Sequence, residues 1–181
     1  GDLRYEENEL RFVLDDEQPY PGASAHGIAE GFPLGGARSL YGATKLAQTS
    51  HAFVAASRGL PVVVARLFNP IGPGMPKSLA LGSFAHQIAC MGTRGGVLST
   101  GDLDVVRDFM DVRIAAKLLV DLSLASDASA QVVNICSGDG QRLLDLTQRL
   151  IAVSGVPVEL KHDESRRGNS DGRAFVGEPS K

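Results

Sequence analysis

Hydrophobic and polar positions alternate along the chain in blocks that predict helices and strands in turn. From residue 40, apolar residues recur at helical spacing, which predicts a helix that ends at Gly59. The apolar, β-branched run at 60–68 (LPVVVARLF) indicates a strand buried on both faces, as in a parallel sheet. Residues 1–38 contain acidic clusters and a stretch rich in Gly, Pro and Ser, which predicts loop.

The alternation continues to the end of the chain. Asp111 is a good N-cap for a helix, and Gly155 is placed to end another. Residues 97–109 alternate poorly and predict an irregular strand or hairpin. We expect three further helices and two further strands, the helices at 78–91, 112–125 and 143–153 and the strands at 131–135 and 156–160. Helices that alternate with strands predict an α/β protein.

The composition is that of an ordinary globular domain. The chain has 181 residues, of which 43% are hydrophobic and 22% are charged, with a formal net charge of −3. These values exclude a disordered chain, a coiled coil and a collagen-like repeat. Because the chain has no surplus of Lys and Arg, nucleic acid is not expected as a main partner. No apolar run reaches membrane-spanning length and no signal pattern opens the chain, so we expect a soluble, cytoplasmic protein.

The cysteines and histidines show no pattern of a metal site. Cys90 and Cys136 stand far apart without metal-ligand spacing, so we expect neither a disulfide framework nor a bound metal. Cys136 falls in a predicted strand, which indicates a small core residue. His51 and His86 fall in predicted helices, where a histidine is more often packed or solvated than catalytic.

A tyrosine and a lysine mark the start of the first predicted helix. Tyr41 and Lys45 are four residues apart, so both side chains lie on one helix face. A phenol ionises at about pH 10, and a neighbouring ammonium favours the phenolate. Such a pair can move the proton in an alcohol–ketone interconversion, and the lysine can reach the ribose of a nicotinamide cofactor. Taken alone, the spacing favours the structural alternative, a packed tyrosine followed one turn later by a solvated lysine.

Four short motifs change that interpretation. They are SLYGATKL at 39–46, ARLFNPIGPG at 65–74, RDFMDV at 107–112 and VNICSG at 133–138. Together, at these separations, they closely resemble the extended short-chain dehydrogenase/reductases, the NAD-dependent epimerase/dehydratase family that acts on nucleotide sugars. The resemblance runs over residues 23–181. The combination of four motifs is specific, although no single motif is.

The resemblance implies a fold. It implies the later part of a Rossmann-type, doubly wound parallel sheet plus a small C-terminal substrate domain. Residues 40–75 and 100–125 would lie on the Rossmann side, and residues 76–99 and 126–181 on the substrate side. A dinucleotide-binding domain opens with a strand, a Gly-rich turn and a helix, but no G-x-G-x-x-G follows a predicted strand here. We therefore expect residues 1–181 to be a C-terminal portion that lacks the Gly-rich cofactor-binding part.

The resemblance also implies catalytic and cofactor-binding residues. In this family the tyrosine of Y-x-x-x-K is the acid/base, while the lysine lowers the pKa of the phenol and holds the cofactor ribose. Tyr41 and Lys45 are thus implied to be catalytic and to contact NAD or NADP, and Phe68 and Pro70 to border the nicotinamide. The usual third member belongs to a motif of the S-S-x-x-V-Y type, which is not found; Ser24 is the nearest by type but lies in a predicted loop.

Three residues are implied to bind a nucleotide-diphosphate sugar. Asn69 resembles the family asparagine that hydrogen-bonds the substrate, with an Asn-Pro turn residue as an equal alternative. Arg107 matches the arginine that meets the diphosphate, because a guanidinium donates two hydrogen bonds at once. The alternative for Arg107 is a structural pair with Asp108 or Asp111. Arg167 lies in a segment similar to a later arginine motif, with a basic surface loop as its alternative.

Two likenesses within the family disagree on the reaction. Residues 68–75, 84–89 and 101–104 look like reductases of GDP-4-keto-6-deoxymannose and their dehydratase relatives, whereas residues 24–45 look like epimerases of the CDP-paratose type. The shared step is NAD(P)-dependent hydride transfer at a sugar carbon, so we expect a 4-keto-6-deoxy sugar reductase or an epimerase. The alternative is a non-catalytic fragment or assembly module that keeps only a nucleotide-sugar-binding surface.

The resemblance further implies a homodimer. Family members commonly pair the Tyr–Lys helix with its neighbour in a four-helix interface. The apolar residues Leu46, Val54 and Ala55 of the predicted helix are compatible with that pairing, and equally with core packing.

Overall fold

The structure is a computed structural model of the chain, and it describes residues 3–35, 39–166 and 172–180. Within these residues lie four α-helices, α1 Leu40–Ser57, α2 Ala80–Met91, α3 Val112–Leu124 and α4 Leu143–Ser154. The described strands are β1 Tyr5–Glu7, β2 Phe12–Leu14, β3 Ala23–Ser24, β4 Gly27–Ile28, β5 Val64–Leu67, β6 Asn69–Ile71, β7 Gly96–Thr100, β8 Val106–Asp111, β9 Val132–Ile135, β10 Gly140–Arg142, β11 Val158–His162 and β12 Ala174–Phe175. Helices alternate with strands from α1 onward, which confirms the α/β class.

The helices begin and end close to where the sequence predicts. The Ser39 hydroxyl accepts a main-chain N–H at 3.0 Å and caps α1. The Asp111 carboxylate accepts the Arg113 N–H at 2.8 Å and caps α3. Gly155 follows α4 with φ 64°, and Gly59 follows α1 with φ 86°. Both conformations are open to glycine because it has no Cβ, so the two predicted helix stops are confirmed.

Parallel pairing organises the strands that follow α1. β5 lies parallel to β9, with Val64 opposite Val132, and β7 lies parallel to β11. β8 has the most neighbours of the described strands: its first half pairs antiparallel with β10 and parallel with β12, and its second half pairs parallel with β6. The strand that carries the R-D-F motif therefore lies at the centre of a four-stranded group.

The predicted strand at 60–68 is wrong in its extent and its burial. Within 60–68 the strand is only β5, and the next strand, β6, begins at Asn69. No residue of β5 is buried, and Leu67 is 40% exposed. The division falls at Phe68, whose N–H still donates to Ile135 of β9 at 3.1 Å, whereas Asn69 pairs with β8. The chain changes partner strand at this point. β5 stays half-exposed because β9 is its one neighbour among the described strands.

The predicted hairpin at 97–109 is also wrong. β7 and β8 belong to different sheets, and the residues between them serve another element. The Asp102 carboxylate accepts the Asp104 N–H at 2.8 Å, which turns the chain. The carbonyls of Leu103 and Val105 then accept the first N–H groups of α4, at 3.0 and 2.9 Å. Leu103 and Val105 thus accept N–H groups that the start of a helix leaves without an intrahelical partner, and they form no hairpin between β7 and β8.

Residues 1–38 contain more regular structure than the predicted loop. Two short antiparallel hairpins are present, β1 with β2 and β3 with β4. The Asn8 side chain accepts two main-chain N–H groups, at 3.0 and 2.8 Å, and shapes the first turn. Ile28 of β4 donates to the Val176 carbonyl at 2.8 Å and accepts from the Glu178 N–H at 3.1 Å. The second hairpin is thereby joined to the C-terminal part of the chain.

The core lies away from α1. One buried cluster packs α2 and α4 against β7 and consists of Leu81, Phe84, Ile88, Leu98 and Leu143. A smaller cluster joins α3 to β8 and β9 and consists of Met110, Ala115 and Ile135. No residue of α1 is buried. The division into a Rossmann side and a substrate side stays a prediction. None of the described helices combines the length and the apolar character needed to cross a membrane.

Candidate active site

The predicted acid/base pair lies open at the start of α1. Tyr41 is the second residue of the helix and is 72% exposed, so the packed tyrosine of the structural alternative is not what the structure shows. The Lys45 ammonium nitrogen lies over the Tyr41 ring, 5.6 Å from its centre, and donates to Gln48 at 3.2 Å. The predicted common face is confirmed. A phenol hydroxyl and an ammonium are thus presented together to solvent.

Asn69 opens β6 and is oriented by β8. It pairs with Phe109, and its side-chain nitrogen donates to the Asp108 main-chain carbonyl at 2.8 Å. The turn residue of the alternative interpretation is wrong, because Asn69 is part of a paired strand. The hydrogen bond fixes the plane of the amide. Its contact with a sugar stays a prediction.

Arg107 is held from β8 by main-chain carbonyls. Its guanidinium donates to Val106 at 2.7 Å, to Gly172 at 3.1 Å and to Arg173 at 3.4 Å. Partial burial lowers the pKa of Arg107 by desolvation, and the nearby Tyr5 and Asp102 oppose that change. These carbonyl acceptors orient the guanidinium.

Asp108 carries a buried network that sequence reasoning missed. Its side chain is fully buried, and its carboxylate accepts four hydrogen bonds. One oxygen takes the N–H of Ser137 at 2.9 Å and its hydroxyl at 2.7 Å. The other takes the N–H groups of Gly138 at 3.0 Å and Gly177 at 3.2 Å. The sequence contains one signal, which is the acid next to Arg107 in the R-D-F motif. The motif alone indicates that this acid is a partner for the arginine and shows no other role.

Gly177 packs where a larger residue has no room. A Cβ at this position would lie 2.5 Å from the Cys136 Cβ and 2.8 Å from the Phe68 ring. Phe68 is therefore in close contact with the segment that Asp108 holds. Burial, followed by the nearby charges of Asp108 and Glu30, raises the pKa of the Cys136 thiol to about 11, as befits a core residue.

A cleft of about 420 Å³ opens beside this network. Ser137 and Gly138, which bind the Asp108 carboxylate, also line the cleft. The complete lining is Ala25, His26, Ser137, Gly138, Glu178, Pro179 and Ser180. The cleft wall is thus built from the β3–β4 turn, the turn after β9 and the C-terminal segment.

The structure brings some predicted site residues together. Three of them lie around Asp108. Asn69 donates a hydrogen bond to its carbonyl, and Arg107 precedes it in β8. Phe68 packs against Gly177, whose N–H donates to the Asp108 carboxylate. Tyr41 and Lys45 form a separate pair on α1. Pro70 lies in β6 next to Asn69.

Two predicted features remain to be placed. Arg167 lies outside the described residues, while the neighbouring Arg166 lies 3.5 Å from Asp163. Ser24 forms part of β3, where its hydroxyl accepts the His26 N–H at 3.1 Å. Across the described residues no group of three or more His, Cys, Asp or Glu side chains is placed to hold a metal ion.

Comparison with known proteins agrees with the motifs. Residues 18–136 match the model of the NAD dependent epimerase/dehydratase family. The GDP-6-deoxy-D-mannose reductase of Pseudomonas aeruginosa is 36% identical over 143 residues, which are 77% of this chain and 47% of that enzyme. The dTDP-6-deoxy-L-talose 4-dehydrogenase (NAD(P)(+)) of Kitasatospora kifunensis is 33% identical over 123 residues, which are 66% of this chain and 38% of that enzyme.

Solved structures show the same relationship. The structure of RMD from Pseudomonas aeruginosa complexed with NADPH matches with a TM-score of 0.72 and 32% identity, over 83% of this chain and 50% of that chain. The chain spans about half the length of the relatives it matches. The family model covers most of the chain, including the Tyr41–Lys45 pair and Arg107. The chain belongs to the NAD dependent epimerase/dehydratase family.

Proposed function

We propose that the chain carries the acid/base pair and the nucleotide-sugar-binding part of an NAD(P)-dependent enzyme that transfers hydride at a sugar carbon. The observation that carries the proposal is the open Tyr41–Lys45 pair at the start of α1. The named relatives are a 6-deoxy-sugar reductase and a 6-deoxy-sugar 4-dehydrogenase. They support oxidoreduction of a 4-keto-6-deoxy sugar over epimerisation.

The chemistry assigned to α1 is proton transfer. NAD(P), when bound, supplies or accepts the hydride. The Tyr41 hydroxyl gives its proton to the sugar oxygen in the reductive direction and takes it back in the oxidative direction. The Lys45 ammonium, 5.6 Å from the centre of the Tyr41 ring, is assigned the role of stabilising the negative charge that develops on the phenol oxygen. The same ammonium can donate to the ribose hydroxyls.

The residues present fit one end of the cofactor. Tyr41 is exposed and Lys45 lies beside it, while Phe68 lies between β5 and β6 and Pro70 lies within β6. These groups suit a nicotinamide and its ribose. A dinucleotide pyrophosphate is bound by the N–H groups of a Gly-rich turn at a helix start, and the sequence contains no such motif after a strand. We therefore assign only the nicotinamide end of NAD or NADP to this chain.

The substrate side is assigned to the residues that border Asp108. Arg107 supplies a guanidinium whose orientation is fixed by main-chain carbonyls, and its fork of donors suits a diphosphate. Asn69 lies on the neighbouring strand with its amide plane fixed, which suits a hydrogen bond to the sugar. Arg167, which is outside the described residues, is assigned to the diphosphate on the resemblance alone.

We also propose a homodimer in the cytoplasm, formed through α1. Apolar side chains of this helix are exposed, Leu40 by 83% and Val54 by 51%. Both cysteines of the chain are free thiols, as is usual in a reducing compartment. Light scattering after gel filtration tests the dimer: Val54→Asp should give a monomer. Val153→Asp, at a still more exposed valine on α4, is the matched control and should leave the dimer intact.

Turnover tests the activity. The assay uses the complete polypeptide that contains these residues, with GDP-6-deoxy-D-mannose and NAD⁺ or NADP⁺, and follows the absorbance of the reduced nicotinamide. Tyr41→Phe removes only the hydroxyl and should lower kcat by about 100-fold or more. Lys45→Met removes the charge and should cause a loss of similar size.

Matched controls separate catalysis from folding. Tyr20→Phe removes a hydroxyl outside α1, and Lys117→Met removes an exposed ammonium from α3 that pairs with Asp121. Both should keep wild-type kcat. A Tyr41→Phe enzyme with wild-type kcat would contradict the proposal. Conversion of a nucleotide sugar to its epimer with no net change in NAD(P)H would favour the epimerase. Binding without turnover would favour the non-catalytic module.

A further inference from the structure

We propose that Asp108 is a positioning residue of this site: its carboxylate joins the Ser137–Gly138 turn to Gly177 and thereby sets the placement of Phe68, Asn69 and Arg107. The inference rests on the proposed function, because it concerns how the cofactor-side and substrate-side residues are held. Asp108 is the fully buried carboxylate among the described residues. It lies in β8, at the centre of the four-stranded group.

The carboxylate is held by neutral donors. Each oxygen accepts two hydrogen bonds, from three main-chain N–H groups and the Ser137 hydroxyl, at 2.7 to 3.2 Å. Four donors satisfy the acceptor positions that an ionised carboxylate offers. Such a group is costly to bury unless it is fully hydrogen-bonded, so the arrangement depends on all four donors staying in place.

The first connection runs from Asp108 to the cofactor side. Gly177 donates to the carboxylate at 3.2 Å, and its Cα faces both Cys136 and the Phe68 ring at close range. Displacement of Gly177 would therefore change what Phe68 packs against. Phe68 is the residue at which the chain passes from β5 to β6.

The second connection runs to the substrate side. The Asp108 main-chain carbonyl accepts the Asn69 side-chain nitrogen at 2.8 Å, so the backbone of this one residue orients that amide. Arg107 precedes Asp108 in β8, and its guanidinium donates to the carbonyls of Gly172 and Arg173. The segment 172–177 is therefore held at its start by Arg107 and at its end by Asp108. Loss of the hydrogen bond between Gly177 and Asp108 would therefore displace the Gly172 and Arg173 carbonyls that accept from Arg107.

An isosteric substitution tests the inference. Asp108→Asn keeps the size of the side chain but replaces one acceptor oxygen by a donor nitrogen. Placed toward Gly138 and Gly177, the new nitrogen faces two N–H groups; placed toward Ser137, it faces one. At least one main-chain N–H loses its acceptor in either orientation: the first affects the buried Gly177, and the second affects the exposed Ser137.

The expected result is a separation of KM from kcat. In the oxidation assay described above, Asp108→Asn should raise KM for GDP-6-deoxy-D-mannose about tenfold, since loss of a main-chain hydrogen bond to residue 108 loosens the segments that orient the arginine and the asparagine. The kcat should change less than about threefold, because Tyr41 and Lys45 lie on α1. Asp121→Asn, on the exposed face of α3, makes the same change of charge and should leave both constants unchanged.

A second pair of variants covers the case in which Asp108→Asn does not fold. Ser137→Ala removes the hydroxyl donor and should raise KM about threefold, while Ser137→Thr keeps the hydroxyl and should restore it. Unchanged KM in Asp108→Asn, a loss confined to kcat, or equal KM in the two Ser137 variants would overturn the inference. A wild-type enzyme that oxidises no nucleotide sugar would instead overturn the proposed function on which it rests.

Discussion

The close packing of Gly177 gives a quantitative test of the structure. Gly177→Ala would place a Cβ 2.5 Å from the Cys136 Cβ and 2.6 Å from its sulfur. Carbon atoms in contact normally lie about 3.5–4.0 Å apart, so the backbone or the side chains must move by about 1 Å. Overpacking of this kind costs about 1–3 kcal/mol. For a chain of this size we therefore expect the midpoint of thermal unfolding to fall by about 3–9 °C.

The assay is thermal unfolding followed by circular dichroism, with a matched glycine as control. At Gly31 a Cβ meets nothing within 4 Å and the backbone is not left-handed, so Gly31→Ala should be neutral or stabilise by less than about 1 kcal/mol. Cys136→Gly removes the opposing atoms and should recover part of the loss when combined with Gly177→Ala. If Gly177→Ala melts at the same temperature as Gly31→Ala, the packing between the C-terminal segment and β9 is wrong.

Two further predictions concern ionisable groups. A soluble disulfide reagent at mildly alkaline pH should modify Cys90 quickly and Cys136 only after unfolding, because Cys90 is exposed and burial raises the pKa of Cys136 to about 11; loss of the fast phase in Cys90→Ser checks this. Hydrogen bonds from Arg113 lower the pKa of Asp111 to about 2, below the unfolded value of about 3.9. The stability gained from this carboxylate is present above about pH 4 and is lost as the pH falls through about 2, so the lower melting temperature of Asp111→Asn should approach that of wild type in acid. A constant difference across that range would contradict the assigned pKa.

The sequence predicted the elements that depend on local signals. The Asp111 cap of α3 and the glycines after α1 and α4 are determined within a few residues, and each was predicted from the sequence. The Tyr41–Lys45 pairing is local too, because four residues along a helix return to the same face. The resemblance to a family added roles that no periodicity could supply.

The failures share a different cause, which is pairing between distant residues. The end of β5 at Leu67 and the start of β6 at Asn69 depend on β9 and β8, which lie tens of residues further along the chain. The Asp108 network is also non-local: its donors are 29, 30 and 69 residues away. The sequence around an acid in a strand does not show which distant N–H groups it binds, so only the structure reveals the role of Asp108.

The two halves of the candidate site are stabilised in different ways. α1 carries Tyr41 and Lys45 without one buried residue, and the face that it packs against the rest of the chain, which includes Leu46 and Ala55, is only half-buried. β8 carries Arg107 with buried neighbours on both sides in sequence, paired strands on both edges and a fully bonded carboxylate. Local opening therefore starts from the helix rather than from the strand. It follows that the residues proposed to bind substrate remain ordered when α1 moves, and that, under the proposed function, contacts made by α1 with a cofactor would have the larger influence on proton transfer.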